Sequence, residues 1–407
     1  MKINPDAAGF DAARLTRIGD HITHRYVEPH KITGAQVLVA RHGHVGYFES
    51  FGLCDRERNK PVEPDTIWRI YSMTKPITSV ALMTLYEEGH FQLADPVSRF
   101  IPEWDGLAVY EPGGTAQQGG LLTVEPERAM TVRDLFMHTS GLTYGGDQSH
   151  PVDRVYQKLG LRAEGMTLEA MVSQLAGVPL KFHPGSRWHY SFSTDVLGRL
   201  VEIISGQRFD HFLDERLFGP LGMSDTGFFV PEEKLSRFAA NYGRRRDKTL
   251  ALVDDPETSI YLTRRAFLSG GGGLVSTSAD YLRFCQMLIN GGELDGVRIL
   301  GRKTIEMMTT NHLPSGGDLA SLALGAFAET PYEGVGFGLG FAVGQGPVAT
   351  QTIGSAGEYY WGGAASTIFW NDPAEDLVVI FMTQLMPSAT FNFRGQLKTL
   401  VYPAIAD

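Results

Sequence analysis

The sequence predicts a mixed α/β protein of the α+β kind: one sheet built from strands at both ends of the chain, with helices and loops inserted between them. Three observations carry this. Runs rich in β-branched and aromatic residues occur early, at 34–40 and 45–51, and late, at 337–343, 348–353, 365–370 and 377–383. The stretch between them reads as helix-periodic segments separated by Gly- and Pro-rich loops. A hydrophobic content of 43% and a charged content of 20% are those of a globular chain, and 407 residues suffice for two or three structural units.

In chain order, Asp11 is placed to cap a helix whose apolar positions are Leu15, Ile18, Ile22 and Tyr26. His21 and His24 lie near that stripe without a third ligand, so they are expected as ordinary surface or half-buried histidines. The two early β runs flank Arg41-His42-Gly43-His44, a hairpin signal. Thr66 to Tyr71 then leads into Ser72-Met73-Thr74-Lys75-Pro76 and an apolar helix stopped by Gly89. Proline is tolerated in a first helical turn, where its missing N–H has no partner to lose.

Ser72 and Lys75 are three residues apart and therefore share one side of a helix start. A serine there lies close to free backbone N–H groups that suit an oxyanion, and an ammonium beside it eases loss of its proton or, if neutral, takes that proton. The same two residues also suit an N-cap and a solvated lysine.

Residues 104–130, with Gly113-Gly114 and Gly119-Gly120, read as a long loop. Thr131 to Leu142 reads as a short helix and a turn carrying His138, expected to make a structural hydrogen bond. A further loop runs from Tyr144 to Pro151, and 152–161 suits a helix. Tyr190 falls on a loop just after a Pro184-Gly185 turn and just before a helix that Ser193 caps and Gly206 closes. Ser269 to Leu274 is glycine-rich but lacks the lysine of a phosphate loop, which leaves close backbone packing. Residues 280–290 suit a helix stopped by Gly291-Gly292, and 392–401 a terminal helix; Asn371-Asp372-Pro373 makes a turn between the last two strands.

A net charge of −10 argues against a nucleic-acid binder. Two cysteines, Cys54 and Cys285, make no disulfide framework. The first residues lead into no apolar signal segment, and no run approaches a membrane span; a cytoplasmic protein with no membrane partner is the expectation. Oligomeric state is not legible.

Taken in order, Ser72-Met73-Thr74-Lys75, Leu135 to Leu142, Tyr190-Ser191, Pro220-Leu221-Gly222-Met223, Gly271 to Thr277 with Asp280, and Trp361-Gly362-Gly363 resemble the motifs of the serine β-lactamase and penicillin-binding-protein superfamily, class C-like branch. The likeness is strongest to the family VIII carboxylesterases. It implies a β-lactamase-like fold: a mainly antiparallel sheet flanked by helices in residues 1–70 and 270–407, an inserted, mostly helical domain in 71–269, and the active site between them. It further implies serine acyl-enzyme chemistry without metal or organic cofactor. Ser72 would attack an ester carbonyl, Lys75 and Tyr190 would form the base system, and Tyr190 would activate the deacylating water. Which of the two holds the proton at rest stays open. The backbone N–H groups of Ser72 and Ala364 would form the oxyanion hole, and Trp361, Gly362, Gly363 and Phe192 would line the substrate site.

The chain departs from the lactamases at two places. Phe192 replaces the asparagine of their Tyr-x-Asn motif, and Trp361-Gly362-Gly363 stands where their Lys-Thr-Gly strand motif belongs. The first loss removes an amide that would hold a substrate's side-chain carbonyl and the second a cation for its carboxylate; they point to small, neutral acyl esters, turned over faster than penicillins or cephalosporins. The expected activity is therefore a carboxylesterase on short-chain neutral esters. The alternatives are an acyltransferase to an alcohol, a lactam or D-amino-acid peptide hydrolase, and a binding protein on an inactive fold.

Overall fold

The computed structural model describes residues 1–115, 120–325 and 331–407. The predicted first hairpin is present: β1 (Gly34–Arg41) pairs antiparallel with β2 (His44–Asp55), which in turn pairs with the short β3 (Lys60–Pro61). Five late strands complete the sheet, β4 (Val335–Phe337), β5 (Ala342–Gly344), β6 (Tyr359–Gly362), β7 (Ile368–Asp372) and β8 (Leu377–Thr383). The order is β4-β5-β6-β7-β8-β1-β2-β3, antiparallel throughout, so the two ends of the chain meet where β8 pairs with β1 from Ala35 opposite Thr383 to Arg41 opposite Leu377.

Every residue of β1, β7 and β8 is buried, which requires cover on both faces of the sheet. The faces can be told apart by strand alternation. Phe369, paired with Ile380, packs its ring 5.1 Å from Tyr281 on helix α4 (Ser278–Ile289). Phe381, the next residue along β8, points the other way and packs 4.8 Å from Phe393 on α5 (Phe393–Val401). Helix α1 (Ala12–Ile22), capped by the Asp11 side chain as its sequence predicts, lies beside α5.

Two further helices belong to the site. α2 (Thr74–Glu87) is buried from Thr74 to Leu85, so it is a central helix rather than an amphipathic surface one. α3 (Ser193–Ser205) packs against it and ends at Gly206 in the left-handed region; Ser193 is its first residue and not its cap, its hydroxyl bonding instead to those of Ser140 and Ser191. Between β3 and β4 the chain is mostly helical and irregular. Residues 241–244 and 250–254 nonetheless form a small sheet with 385–386.

Four sequence expectations are corrected. Residues 348–353 do not form a strand: Pro347–Thr350 is a helical turn ended by Gln351 at φ 50°, and Val348 is 92% exposed. Pro347 presets the backbone for that turn, and a side chain left in water gains nothing from a sheet. The run at 337–343 is two strands, β4 and β5, folded back on each other through Gly338 and Gly340. The run at 365–370 begins its strand only at Ile368, after a turn through Ser366 at φ 67°. Residues 104–130 contain a hairpin, Val109–Thr115 with Leu121–Val124, because Val109 and Tyr110 find strand partners in Val124 and Thr123 that the glycines on either side obscure. Of the Gly119-Gly120 pair, Gly119 lies outside the described residues.

Candidate active site

Ser72 lies in a 3-10 turn, Tyr71–Met73, that runs directly into α2. Tyr71 immediately before it holds φ 42°, an uncommon conformation for a bulky side chain. Strain of this kind persists only where the surroundings enforce it. Here the Asn241 side-chain amide donates to the Tyr71 hydroxyl at 2.9 Å.

Lys75 follows one turn later. Its Nζ donates to Ser72 Oγ at 3.2 Å and to the Gly271 carbonyl at 2.6 Å. The glycine-rich loop supplies that carbonyl because it can press against α2 and α3. A side chain at Gly271 would meet Asp195 Oδ2 at 2.6 Å and the Tyr144 hydroxyl at 2.9 Å. Asp195 on α3 holds the loop in place, accepting from Gly271 N at 3.1 Å and from Ser269 Oγ at 2.5 Å. Thr78 on α2 donates to Gly270 O at 2.8 Å. The expected close packing is thus present, and it fixes the lysine as well.

Tyr190 comes from the loop before α3, as its position predicts. Its ring centroid is 4.2 Å from Lys75 Nζ, and Trp361 Nε1 on β6 donates to its hydroxyl at 2.9 Å. His138, Tyr144 and Trp188 pack around the same ring, with centroids 4.8, 5.5 and 6.0 Å away. His138 is fully buried; desolvation first, and then the Lys75 charge, push its pKa well below the usual histidine value, so it stays neutral. Its ring nitrogens face Ser191 Oγ at 3.3 Å and Thr194 Oγ1 at 3.5 Å, a structural placement on the far side of Tyr190.

A cavity of about 400 Å³ opens over these residues. Ser72, Tyr190 and Ala364 line its inner part together with Gly271, Gly272 and Gly273. Ala364 reaches this place because the end of β6 lies against the turn before Ser72: a side chain on Gly363 would strike the Ile70 carbonyl and Thr367 Oγ1. The remaining wall is mostly aromatic and apolar, with Tyr144, Phe228, Ile260, Tyr261 and Phe267, and carries two charged side chains, Arg162 and Arg265.

The other expected substrate contacts fall elsewhere. Trp361 is 1% exposed and stands behind Tyr190 instead of lining the cavity. Phe192 is buried behind Tyr144, 4.7 Å between centroids. Gly362 and Gly363 face a separate cavity of about 220 Å³ beside Phe391 and Arg394. β6 is buried along its length, and Trp361 meets the cavity wall from behind, through Tyr190. Sequence reasoning missed Tyr144, Arg162 and Arg265, all of which line the cavity from loops. A Tyr beside Gly145-Gly146 was the available signal for the first; the arginines gave none.

Among the described residues no group of His, Cys, Asp and Glu side chains is arranged to hold a metal, and no helix is long and apolar enough to cross a membrane. Both cysteines are free and buried.

Comparison with known proteins gives a consistent neighbourhood. The family model described as Beta-lactamase matches residues 20–401. Esterase EstB of Burkholderia gladioli is 32% identical over 404 residues, covering 94% of this chain and 93% of that one. Protein Rv1367c of Mycobacterium tuberculosis (strain ATCC 25618 / H37Rv) is 36% identical over 365 residues, 89% and 88% of the two chains. Among solved structures, EstCE1, described as a hydrolase with promiscuous acyltransferase activity, superposes with a TM-score of 0.78 at 28% identity, covering 97% of this chain and 99% of that one.

Proposed function

The chain belongs to the beta-lactamase family, and from that premise we propose that it is a serine carboxylesterase that hydrolyses short-chain esters through an acyl-enzyme on Ser72. The observation that carries the reading is the contact of Lys75 Nζ with Ser72 Oγ at 3.2 Å, beneath a Tyr190 ring 4.2 Å from the same ammonium, at the inner end of an open cavity.

In this reading Ser72 Oγ attacks the ester carbonyl while the Lys75–Tyr190 pair takes its proton. The N–H that Trp361 donates to the phenol oxygen stabilises negative charge there, and the nearby ammonium does the same. Backbone N–H groups of Ser72 and Ala364 receive the oxyanion. The protonated pair then protonates the leaving alcohol. Water enters and attacks the acyl carbon as it loses a proton to the same pair; the Ser72 Oγ–acyl bond then breaks, the pair returns the proton to Oγ, and the acid leaves. Neutral His138 behind Tyr190 keeps a second positive charge out of this buried corner. No metal or organic cofactor enters these steps. The reading treats residues 1–70 with 270–407 and residues 71–269 as two units; Ala364 and the glycine loop face Tyr144 and Tyr190 across their junction.

The inner walls favour a small uncharged acyl group next to Ser72, because a carboxylate against Tyr190 and Phe228 would lose its hydration without a partner. The partner is thus a small-molecule ester. Release of 4-nitrophenol from its acetate and butyrate, with and without an alcohol acceptor, tests the assignment. Hydrolysis that Ser72→Ala abolishes supports it. Product formed only when an alcohol is present would make the protein an acyltransferase, as the activity named for EstCE1 suggests. Activity retained by purified Ser72→Ala would remove the nucleophile assignment.

A further inference from the structure

This inference rests on the reading of Ser72 as the nucleophile toward esters. We propose that the preferred esters carry a carboxylate at the end remote from the scissile bond, and that Arg162 and Arg265 bind it at the mouth of the cavity.

Among the described residues, the charged side chains lining the cavity are these two arginines, with no Asp or Glu. Among the described residues neither arginine forms an ion pair with a carboxylate of the protein. They come from separate loops. Arg265 Nη2 donates to the Arg162 backbone carbonyl at 3.5 Å, which brings the loops together. The Arg162 guanidinium carbon sits 5.2 Å from the Tyr144 ring centroid and 5.0 Å from that of Phe192, so two aromatic faces brace it although it is open to solvent. Arg264, the next residue along, instead lies 4.1 Å over the Phe229 ring and does not line the cavity.

The same Tyr144 ring lies 5.6 Å from Lys75 Nζ. One tyrosine therefore separates the catalytic ammonium from the guanidinium at the mouth, and a spacer of a few methylenes connects the two positions. Guanidinium groups match the planar geometry of a carboxylate, and two of them on facing loops suit a single anion. The protein carries a net charge of −10, which repels anions at a distance; a local positive pair at the cavity mouth reverses the sign where substrate enters. The loss of the strand-motif lysine leaves an anion next to Ser72 without a partner, but not one at the far end of the cavity.

The test uses ester pairs that differ in one remote group, a carboxylate against a methyl. One pair is 4-nitrophenyl hydrogen adipate against 4-nitrophenyl hexanoate, which places the charge on the acyl side. The other is 4-carboxyphenyl butyrate against 4-methylphenyl butyrate, which places it on the alcohol side. The readout is the charged-to-neutral ratio of kcat/KM, which cancels any difference in folded fraction. In the Arg162→Gln/Arg265→Gln double variant the ratio is expected to fall at least fivefold in one pair. A smaller fall in both pairs overturns the proposal. Calorimetric titration of Ser72→Ala with adipate monomethyl ester reads the same contact without turnover. Its affinity should weaken at least fivefold when both arginines are replaced, and a smaller change overturns the proposal. If the wild type hydrolyses none of the four esters, the hydrolase reading fails and the titration alone decides this one.

Discussion

Ser72 and Lys75 at the floor of the cavity are 8% and 2% exposed, whereas Ile260 at its mouth is 55% exposed and Arg162 is likewise open to solvent. The floor is held from several elements at once. Lys75 is fixed by its own helix turn and by the Gly271 carbonyl, and Tyr190 by β6 through Trp361 and by the rings of His138, Tyr144 and Trp188. The mouth is made of loop residues and the short 3-10 turn Ile260–Leu262, with more of their surface in water. Groups that move protons must sit within hydrogen-bond reach in one geometry, while groups that choose substrate can adapt. Substitutions at the floor should therefore act on kcat, and those at the mouth on KM and on the ranking of substrates.

The largest expected effect comes from removing the base pair. Lys75→Ala and Tyr190→Phe should each lower kcat by roughly 10²- to 10⁴-fold. In the proposed mechanism the two act on one proton, so the double variant should lose little more than the worse single one. Steady-state kinetics of all three variants decide this; a double loss equal to the product of the single losses would separate the two roles.

Trp361→Phe sharpens the comparison. It keeps an aromatic ring against Tyr190 but deletes the N–H that reaches the phenol oxygen. A single hydrogen bond of this kind contributes about 1.4 kcal/mol, so kcat should fall about tenfold with KM nearly unchanged. A change confined to KM would return Trp361 to the substrate-contact role expected from the sequence.

Ile260→Ala probes the other region. The side chain lines the cavity yet is largely in water, so its loss should alter kcat/KM for acetate by less than about threefold and reorder preference among longer acyl chains. A drop in kcat like that of Trp361→Phe would break the distinction between floor and mouth.

A smaller effect concerns stability. His138 and His189 both have pKa values lowered, first by burial. The unfolded chain takes up their protons near the ordinary value of 6.5 while the fold resists, so stability present above that pH is lost as pH falls below it. Each such histidine steepens the loss by up to about 1.4 kcal/mol per pH unit until its folded-state pKa is reached. Thermal unfolding between pH 7.5 and 5 should show a falling Tm, with a shallower slope in His138→Gln. Equal slopes would mean that His138 already accepts a proton in the folded protein.

The same contrast explains what the sequence could tell. The contact of Ser72 with Lys75 was legible because their relation is set inside one helix turn; Tyr190 was legible only as a loop residue before a helix, where packing was the commoner expectation, and the family resemblance alone set it beside them. The sheet was legible at β1, β2 and β8, where the apolar runs are long. The role of Trp361 was not, since it depends on β6, a strand that the apolar run at 348–353 concealed and whose side chains turn inward. Arg162 and Arg265 lie 103 residues apart and meet only through tertiary packing, for which no local pattern exists.

Accumulation of the acyl-enzyme tests the central claim most directly. Tyr190→Phe mixed with 4-nitrophenyl butyrate, quenched in acid within seconds and digested, should yield the Ser72 peptide heavier by one butyryl group. The adduct should vanish in Ser72→Ala. An adduct on another residue, or continued hydrolysis with no adduct on Ser72 in either the wild type or Tyr190→Phe, would contradict the account.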